Sequence, residues 1–263
     1  MVVLMYNLNG IQKWIDLECG LQPHLSASNI NTFKDNLSMW ILKYGFNMAQ
    51  SGSPAMDRGT VIEQGLVTAL TENLTLTQAT QRALDLYEEY KHWDVDEHNK
   101  QKEVIAPILN NAYEALVDYG IPDVLPDGKQ HMIEFDLVDT DNNWSADIIG
   151  YLDLVYPEQG LIVDLKTTLR MPSEMSWAHK LQRAIYQAGK DNYTVKFLYV
   201  TKNKAEFKED GDKSILEEAK VLVNKMNNFC FSFTPNQARL CIPLVDDYRF
   251  NGQPHLREFY NAI

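Results

Sequence analysis

Between residues 26 and 119 the apolar side chains recur at spacings of three and four, and between 129 and 166 the spacing falls to two. The first period belongs to helices buried along one face and the second to strands. A short helix over Ile11 to Glu18, ended by Gly20 and Pro23, comes first. Ser26 or Ser28 can then cap a helix on which Ile30, Phe33, Leu37, Trp40, Ile41 and Tyr44 share a face and which Gly45 ends. Ser51-Gly52-Ser53-Pro54 reads as a loop. The helix that follows begins near Arg58 and carries Val61, Ile62, Leu66, Ala69 and Leu70 on one stripe. Glu63 lies just off that stripe, where a solvated glutamate is the ordinary outcome. Thr77 is placed to cap a helix through Tyr90, and one long helix from Val95 to Tyr119 is stopped by Gly120 and Pro122.

From Lys129 to Asp139 the pattern changes to alternation, with Met132, Glu134, Asp136 and Val138 on one side and Ile133, Phe135 and Leu137 on the other. An Asp- and Asn-rich turn leads to a second strand over Ser145 to Tyr156. Pro157-Glu158-Gln159-Gly160 then turns the chain into a third, Leu161 to Lys166, so that the last two form a hairpin. Ser173 or Ser176 caps a helix through Lys190, with Gln182 and Tyr186 on one face beside a stripe of Leu181, Ile185 and Ala188. Val195 to Val200 is a fourth strand, Gly211 opens a loop, and Ser214 to Phe229 is helical. Pro235 to Ile263 mixes a short helix with aromatic-rich turns. No repeat, low-complexity segment or linker divides the 263 residues, so one domain is expected. It has a helical N-terminal part (about 1–125), a core (about 126–210) and C-terminal helices (about 211–263). A three-strand meander whose last strand crosses through a helix into a fourth predicts an α/β (α+β) fold with a central mixed β-sheet flanked by helices.

Composition narrows the class. No run approaches the length of a membrane span, and the N-terminus lacks the basic start and cleavage site of a signal peptide. Cys19, Cys230 and Cys241 are far apart without C-x-x-C spacing, which excludes a cysteine-built zinc site or a four-cysteine iron–sulfur cluster within the chain and fits a reducing cytoplasm. The net charge of −12 argues against nucleic acid as a partner. Its distribution argues less strongly, because residues 57–127 carry 14 acidic and 5 basic side chains whereas residues 166–208 carry 9 basic and 3 acidic. A basic face and an ordinary mixed surface are equally compatible with these counts.

Charges inside the apolar strands are the candidate chemistry. Asp153 stands mid-strand, and Asp164 and Lys166, two apart, share a face. Buried carboxylates are costly unless partnered. A hard divalent cation between Asp153 and Asp164, with the Leu165 carbonyl as a further ligand, meets that need and suits phosphodiester hydrolysis, with Lys166 as the charge beside the water. Structural ion pairs of these aspartates with Lys166 or Arg183 are the plainer alternative. No Gly-rich phosphate loop, H-E-x-x-H or G-x-S-x-G accompanies them.

Gly150-Tyr151-Leu152-Asp153 followed by Ile162-Val163-Asp164-Leu165-Lys166 resembles the PD-(D/E)xK nuclease superfamily, and in detail its RecB-like and lambda-exonuclease-like (YqaJ-type) branch. Ser26 to Phe33 resembles the opening helix of that branch. Arg58 to Glu63 resembles the G-x-x-x-(H/E) motif, and Gln182 to Tyr186 the Q-x-x-x-Y motif. Leu152 replaces the proline of the superfamily's name, and Glu63 replaces a histidine usual in RecB. The resemblance implies a restriction-endonuclease-like core and a Mg²⁺- or Mn²⁺-dependent deoxyribonuclease, an exonuclease before an endonuclease. It makes Glu63, Asp153, Asp164 and Leu165 the metal ligands and Lys166 the catalytic charge. It also implies that Gln182, Tyr186, Arg183 and Arg170 contact DNA, and that Glu134 is an additional acidic residue. The partners it implies are DNA and a recombination or single-strand-annealing protein, with room for a homo-oligomer, in a bacterial or virus-infected cell. Two other readings are a nuclease fold that holds DNA or a partner without turnover, and an acidic scaffold.

Overall fold

Asn36 and Pro107 set the shape of the helical part. The structure is a computed structural model describing residues 9–48, 52–72, 74–125, 130–141, 143–209 and 214–262. Lys129, Ser51 and Gly211, which enter the predictions above, lie outside the described residues. After α1 (Asn9–Ile15) comes a three-residue strand β1 (His24–Ser26), too short for alternation to reveal. Then α2 (Ala27–Asp35) is capped by Ser26 and stops at Asn36, where α3 (Leu37–Trp40) and a π-helical turn Ile41–Gly45 follow. The Asn36 side chain accepts from Met39 N–H at 2.9 Å and donates to the Val245 carbonyl at 2.9 Å. It competes with the helix for backbone groups and ties the C-terminal segment to it, so one predicted helix is two.

Ser53 caps α4 (Pro54–Thr71), which starts a turn before Arg58, with Pro54 in its first turn. Thr75, not Thr77, caps α5 (Leu76–Glu89) through a capping box with Gln78. The predicted helix over 95–119 is α6 (Val95–Lys102) and α7 (Ile105–Leu116) with a 3₁₀ turn behind them. Pro107 tolerates the first turn of α7, but its missing N–H and its ring prevent a helix from running through it.

The strands β2 (His131–Asp139), β3 (Trp144–Leu152), β4 (Leu154–Tyr156) and β5 (Leu161–Thr167) precede α8 (Trp177–Gly189). After it come β6 (Thr194–Val200), β7 (Ala205–Lys208), α9 (Ser214–Ser232), α10 (Pro235–Cys241) and α11 (Pro254–Asn261). The expected central sheet is two small mixed sheets flanked by helices, in the orders β1-β3-β2 and β4-β5-β6-β7. Within them β1 runs parallel to β3 and β5 parallel to β6, the latter through α8 as crossover; the other pairs are antiparallel. The strand predicted over 145–156 breaks at Asp153, where the chain leaves one sheet for the other. Gly160 turns β4 into β5 with φ +57°, a left-handed conformation that suits glycine.

Two apolar clusters lie on either side of this seam. The first joins Trp14, Trp40, Ile148 and Leu181 with Ile162 and Phe197; the second joins Ile62, Leu66, Leu109 and Tyr156 with Leu161, Val163 and Leu165. The faces of β5 thus divide between the clusters, and Asp164 and Lys166 share the face of Ile162, towards α8. Among the described residues no helix is long and apolar enough to cross a membrane.

Candidate active site

The β4–β5 ladder pairs Leu154 with Val163, and one further step of that register places Asp153 opposite Asp164. The ladder stops before that step. Leu165 N–H, which would have met a strand, donates instead to Asp153 Oδ2 at 2.9 Å. In an extended strand the N–H and C=O of one residue point to the same edge. The Leu165 carbonyl therefore faces the same gap as Asp153.

Asp164 is 0% exposed. Lys166 Nζ lies 2.6 Å from its Oδ1, the buried oxygen otherwise without a hydrogen-bond donor among the described residues, while Gln182 Nε2 donates to Oδ2 at 2.9 Å. Gln182 Nε2 also donates to the Tyr186 hydroxyl at 2.6 Å, and that hydroxyl donates to the Tyr151 carbonyl. The predicted Q-x-x-x-Y pair thus ties α8 to both strands that bear the aspartates. Gly150 makes this approach possible: a Cβ there would stand 2.5 Å from the Tyr186 ring.

Glu63 reaches the site from α4, which overrides the solvated outcome expected of it. Gln130 Nε2 donates to Glu63 Oε1 at 2.9 Å and to Asp153 Oδ1 at 3.0 Å, bridging the two carboxylates. Behind them, buried Arg58 donates to the Thr167 carbonyl at 3.0 Å and its hydroxyl at 3.2 Å, and also to Gln101. This clamps the helix of Glu63 to the strand of Lys166. No sequence pattern marks Gln130 or Arg58 for these roles. His179, one turn before Gln182, meets the Tyr199 hydroxyl through Nδ1; burial, then the Lys166 charge, push its pKa down to about 4.

Burial, and then the Asp164 and Glu63 charges, hold the Asp153 carboxyl well above the usual range. Burial, and then Asp164, raise Glu63; burial raises Asp164 against the opposing pull of Lys166. Burial pulls the Lys166 ammonium down, but Asp164, Asp153 and Glu63 together more than offset it and keep it above the ordinary lysine value. Three carboxylates raised by burial, with Asp164 adding to the shift of the other two, together with a carbonyl on the same edge form a hard oxygen donor set, which fits Mg²⁺ or Mn²⁺. As the side chains stand, no group of three His, Cys, Asp or Glu among the described residues closes around one point.

The remaining candidates lie elsewhere. Arg183 Nε donates to the Val195 carbonyl at 2.9 Å, joining α8 to β6. Arg170 is exposed in the loop after β5. Glu134 belongs to a separate acidic group, adding to the shift that Asp136 imposes on Asp147. Of the basic residues of 166–208, Lys196 pairs with Glu209, and Lys204 and Lys208 both pair with Glu206.

The mixed α/β fold sets an Asp-x-Lys strand beside Asp153, an arrangement in keeping with a nuclease. The chain belongs to the PD-(D/E)XK nuclease superfamily, whose family model matches residues 24–241. No curated protein matches it. A solved structure described as the crystal structure of SSO0001 is similar at 10% identity and a TM-score of 0.38, over 72% of this chain and 96% of that one.

Proposed function

We propose that the protein is a Mg²⁺- or Mn²⁺-dependent deoxyribonuclease, acting as an exonuclease in DNA recombination, repair or viral DNA processing. The observation that carries this reading is the gap at the end of the β4–β5 ladder, where Asp153, Asp164 and the Leu165 edge converge with Lys166 beside them. Asp153, Asp164, Glu63 and the Leu165 carbonyl would hold the ion. When bound, it supplies Lewis acidity at a phosphate oxygen and acidifies water.

The side chains do the rest. Lys166 keeps its proton at working pH and presents positive charge where a phosphate gains negative charge. Gln182 fixes the orientation of the Asp164 carboxylate, and Tyr186 holds the strand end that carries Asp153. Exposed Arg170 is free to meet a phosphate from the rim, while Arg183, with its Nε on Val195, supports α8.

Digestion of end-labelled linear and circular DNA with Mg²⁺, and again with EDTA, tests the reading. Nucleotide release from linear ends that EDTA stops, with circles intact, is the expected result. Internal cuts in circles would make the enzyme an endonuclease, and no release with Mg²⁺ or Mn²⁺ would leave a binding module of the same fold.

A further inference from the structure

Beside the carboxylates lies a cleft of about 550 Å³, lined by Asp153, Gln130, Tyr151, His24, Asn31 and Gln182 among others. Neither Lys nor Arg is among its lining residues. A duplex is gripped mainly through its phosphates by such cations, and most strongly where they cluster. Here the chain has a net charge of −12 and offers amides, hydroxyls and rings instead. Single strands are also tracked by cations along the backbone, but they add aromatic faces on which unpaired bases stack.

Tyr151 supplies such a face. It is 51% exposed two residues before Asp153, and its cross-strand partner Met132 is 49% exposed beside it. Directly opposed residues of an antiparallel pair share one face of the sheet. Tyr151 lines the cleft two residues before Asp153, and Met132 is its exposed apolar neighbour on the same face of the sheet. Its exposure contrasts with Tyr186, whose ring is buried against Gly150 on the same strand.

We propose that Tyr151 and Met132 form a stacking platform for a base next to the reacting phosphate, and that the strand handled at this site is single. The inference rests on the nuclease reading, and the occupant is a nucleobase of an unpaired strand. A second cleft of about 970 Å³, which shares His179 with the first, is lined by Lys166, Lys180 and Trp177 and supplies cations for the backbone of such a strand.

Fluorescence anisotropy with a labelled single-stranded oligonucleotide and with its blunt duplex, in EDTA and in Ca²⁺, tests this without turnover. The single strand binds more tightly than the duplex. Tyr151→Ala weakens single-strand binding about tenfold, whereas Tyr151→Phe retains it, because the ring and not the hydroxyl stacks. Met132→Ser gives a smaller loss in the same direction. Equal or tighter binding of the duplex, no binding of the single strand in either buffer, or wild-type affinity in Tyr151→Ala overturns the proposal.

Digestion with Mg²⁺ separates this from a failure of the nuclease reading. If duplex is degraded while single strand is left intact and unbound, the nuclease stands and the platform falls. If nothing is degraded but the single strand binds through Tyr151, the platform stands and the nuclease falls.

Discussion

The protein places facing aspartates on two successive hairpins, and only one pair is built into a site. Asp136 and Asp147 are in register on β2 and β3, both exposed, with the Asp147 carboxyl raised first by its hydrogen bond with Asp136. Asp153 and Asp164 would be in register on β4 and β5, but Asp164 is wholly buried and the ladder opens between them. Around the second pair stand an ammonium, an amide from α8, a backbone N–H and a third carboxylate. The first pair has water to dilute its repulsion. A shared strand position for two carboxylates is therefore not enough for chemistry; burial has to make the repulsion costly, and neighbours have to fix where a cation would relieve it.

The sharpest way to break this comparison is to neutralise one member of each pair. Asp164→Asn removes hydrolysis almost completely, and Lys166→Ala lowers it by about a hundredfold to a thousandfold, the range for losing one fixed stabiliser of developing charge. Asp147→Asn leaves it intact. Initial rates on end-labelled DNA with circular dichroism of each variant check this; full activity in Asp164→Asn would sink the mechanism.

Next in size is the response to the ion. Because Asp153 and Glu63 have raised folded pKa values, the folded chain holds their protons longer than the unfolded chain. The ionised group thus costs stability as pH rises from the ordinary carboxylate range through those folded values. A cation binds the ionised form, so Mg²⁺ raises the melting temperature little near pH 5 and more near pH 8, by about 2.7 kcal/mol of stability at a hundred times its dissociation constant. Asp153→Asn abolishes the gain and Asp147→Asn keeps it. A Mg²⁺ shift that is flat with pH would remove the raised carboxylates from the explanation.

Much of this pair's setting was legible in the chain. Alternation placed Asp164 and Lys166 on one face, and the spacing of Gln182 and Tyr186 put both on the helix side that meets them. The opening at Asp153 was not legible, because Ser145 to Tyr156 reads as one continuous, mostly apolar strand and only tertiary pairing decides that its end belongs to another sheet. β1 and β7 are too short to carry a period. Glu63 reads as a surface residue on its own helix; it is the neighbouring strands that bury it. Gln130 and Arg58 are polar residues whose partners are 67 and 109 positions away, so no local pattern points to them.

Arg58 gives the third test. Arg58→Ala leaves Gln101 and the Thr167 carbonyl without their donor, at a cost of about 2 kcal/mol in urea unfolding. It also loosens the strand end that carries Lys166, so activity falls with stability, whereas an exposed change such as Tyr248→Ala moves neither. Unchanged unfolding in Arg58→Ala would show that the clamp does not hold β5.

The smallest effect belongs to the exposed pair and has the opposite sign. Like charges directly opposed across an antiparallel pair destabilise it by about 0.2–1 kcal/mol, so Asp136→Asn stabilises the protein by that amount near neutral pH. The raised pKa of Asp147 fixes where the gain appears. Below the unfolded carboxylate pKa Asp147 is protonated, the repulsion is absent and the substitution is neutral. As pH rises through the folded value of Asp147, the wild type loses stability that Asp136→Asn keeps, because its amide no longer opposes ionisation. Urea unfolding of both proteins across that range measures the difference. A gain that is the same at every pH would mean that the asparagine stabilises by packing or strand preference, and the two aspartate pairs would then differ in more than burial and support.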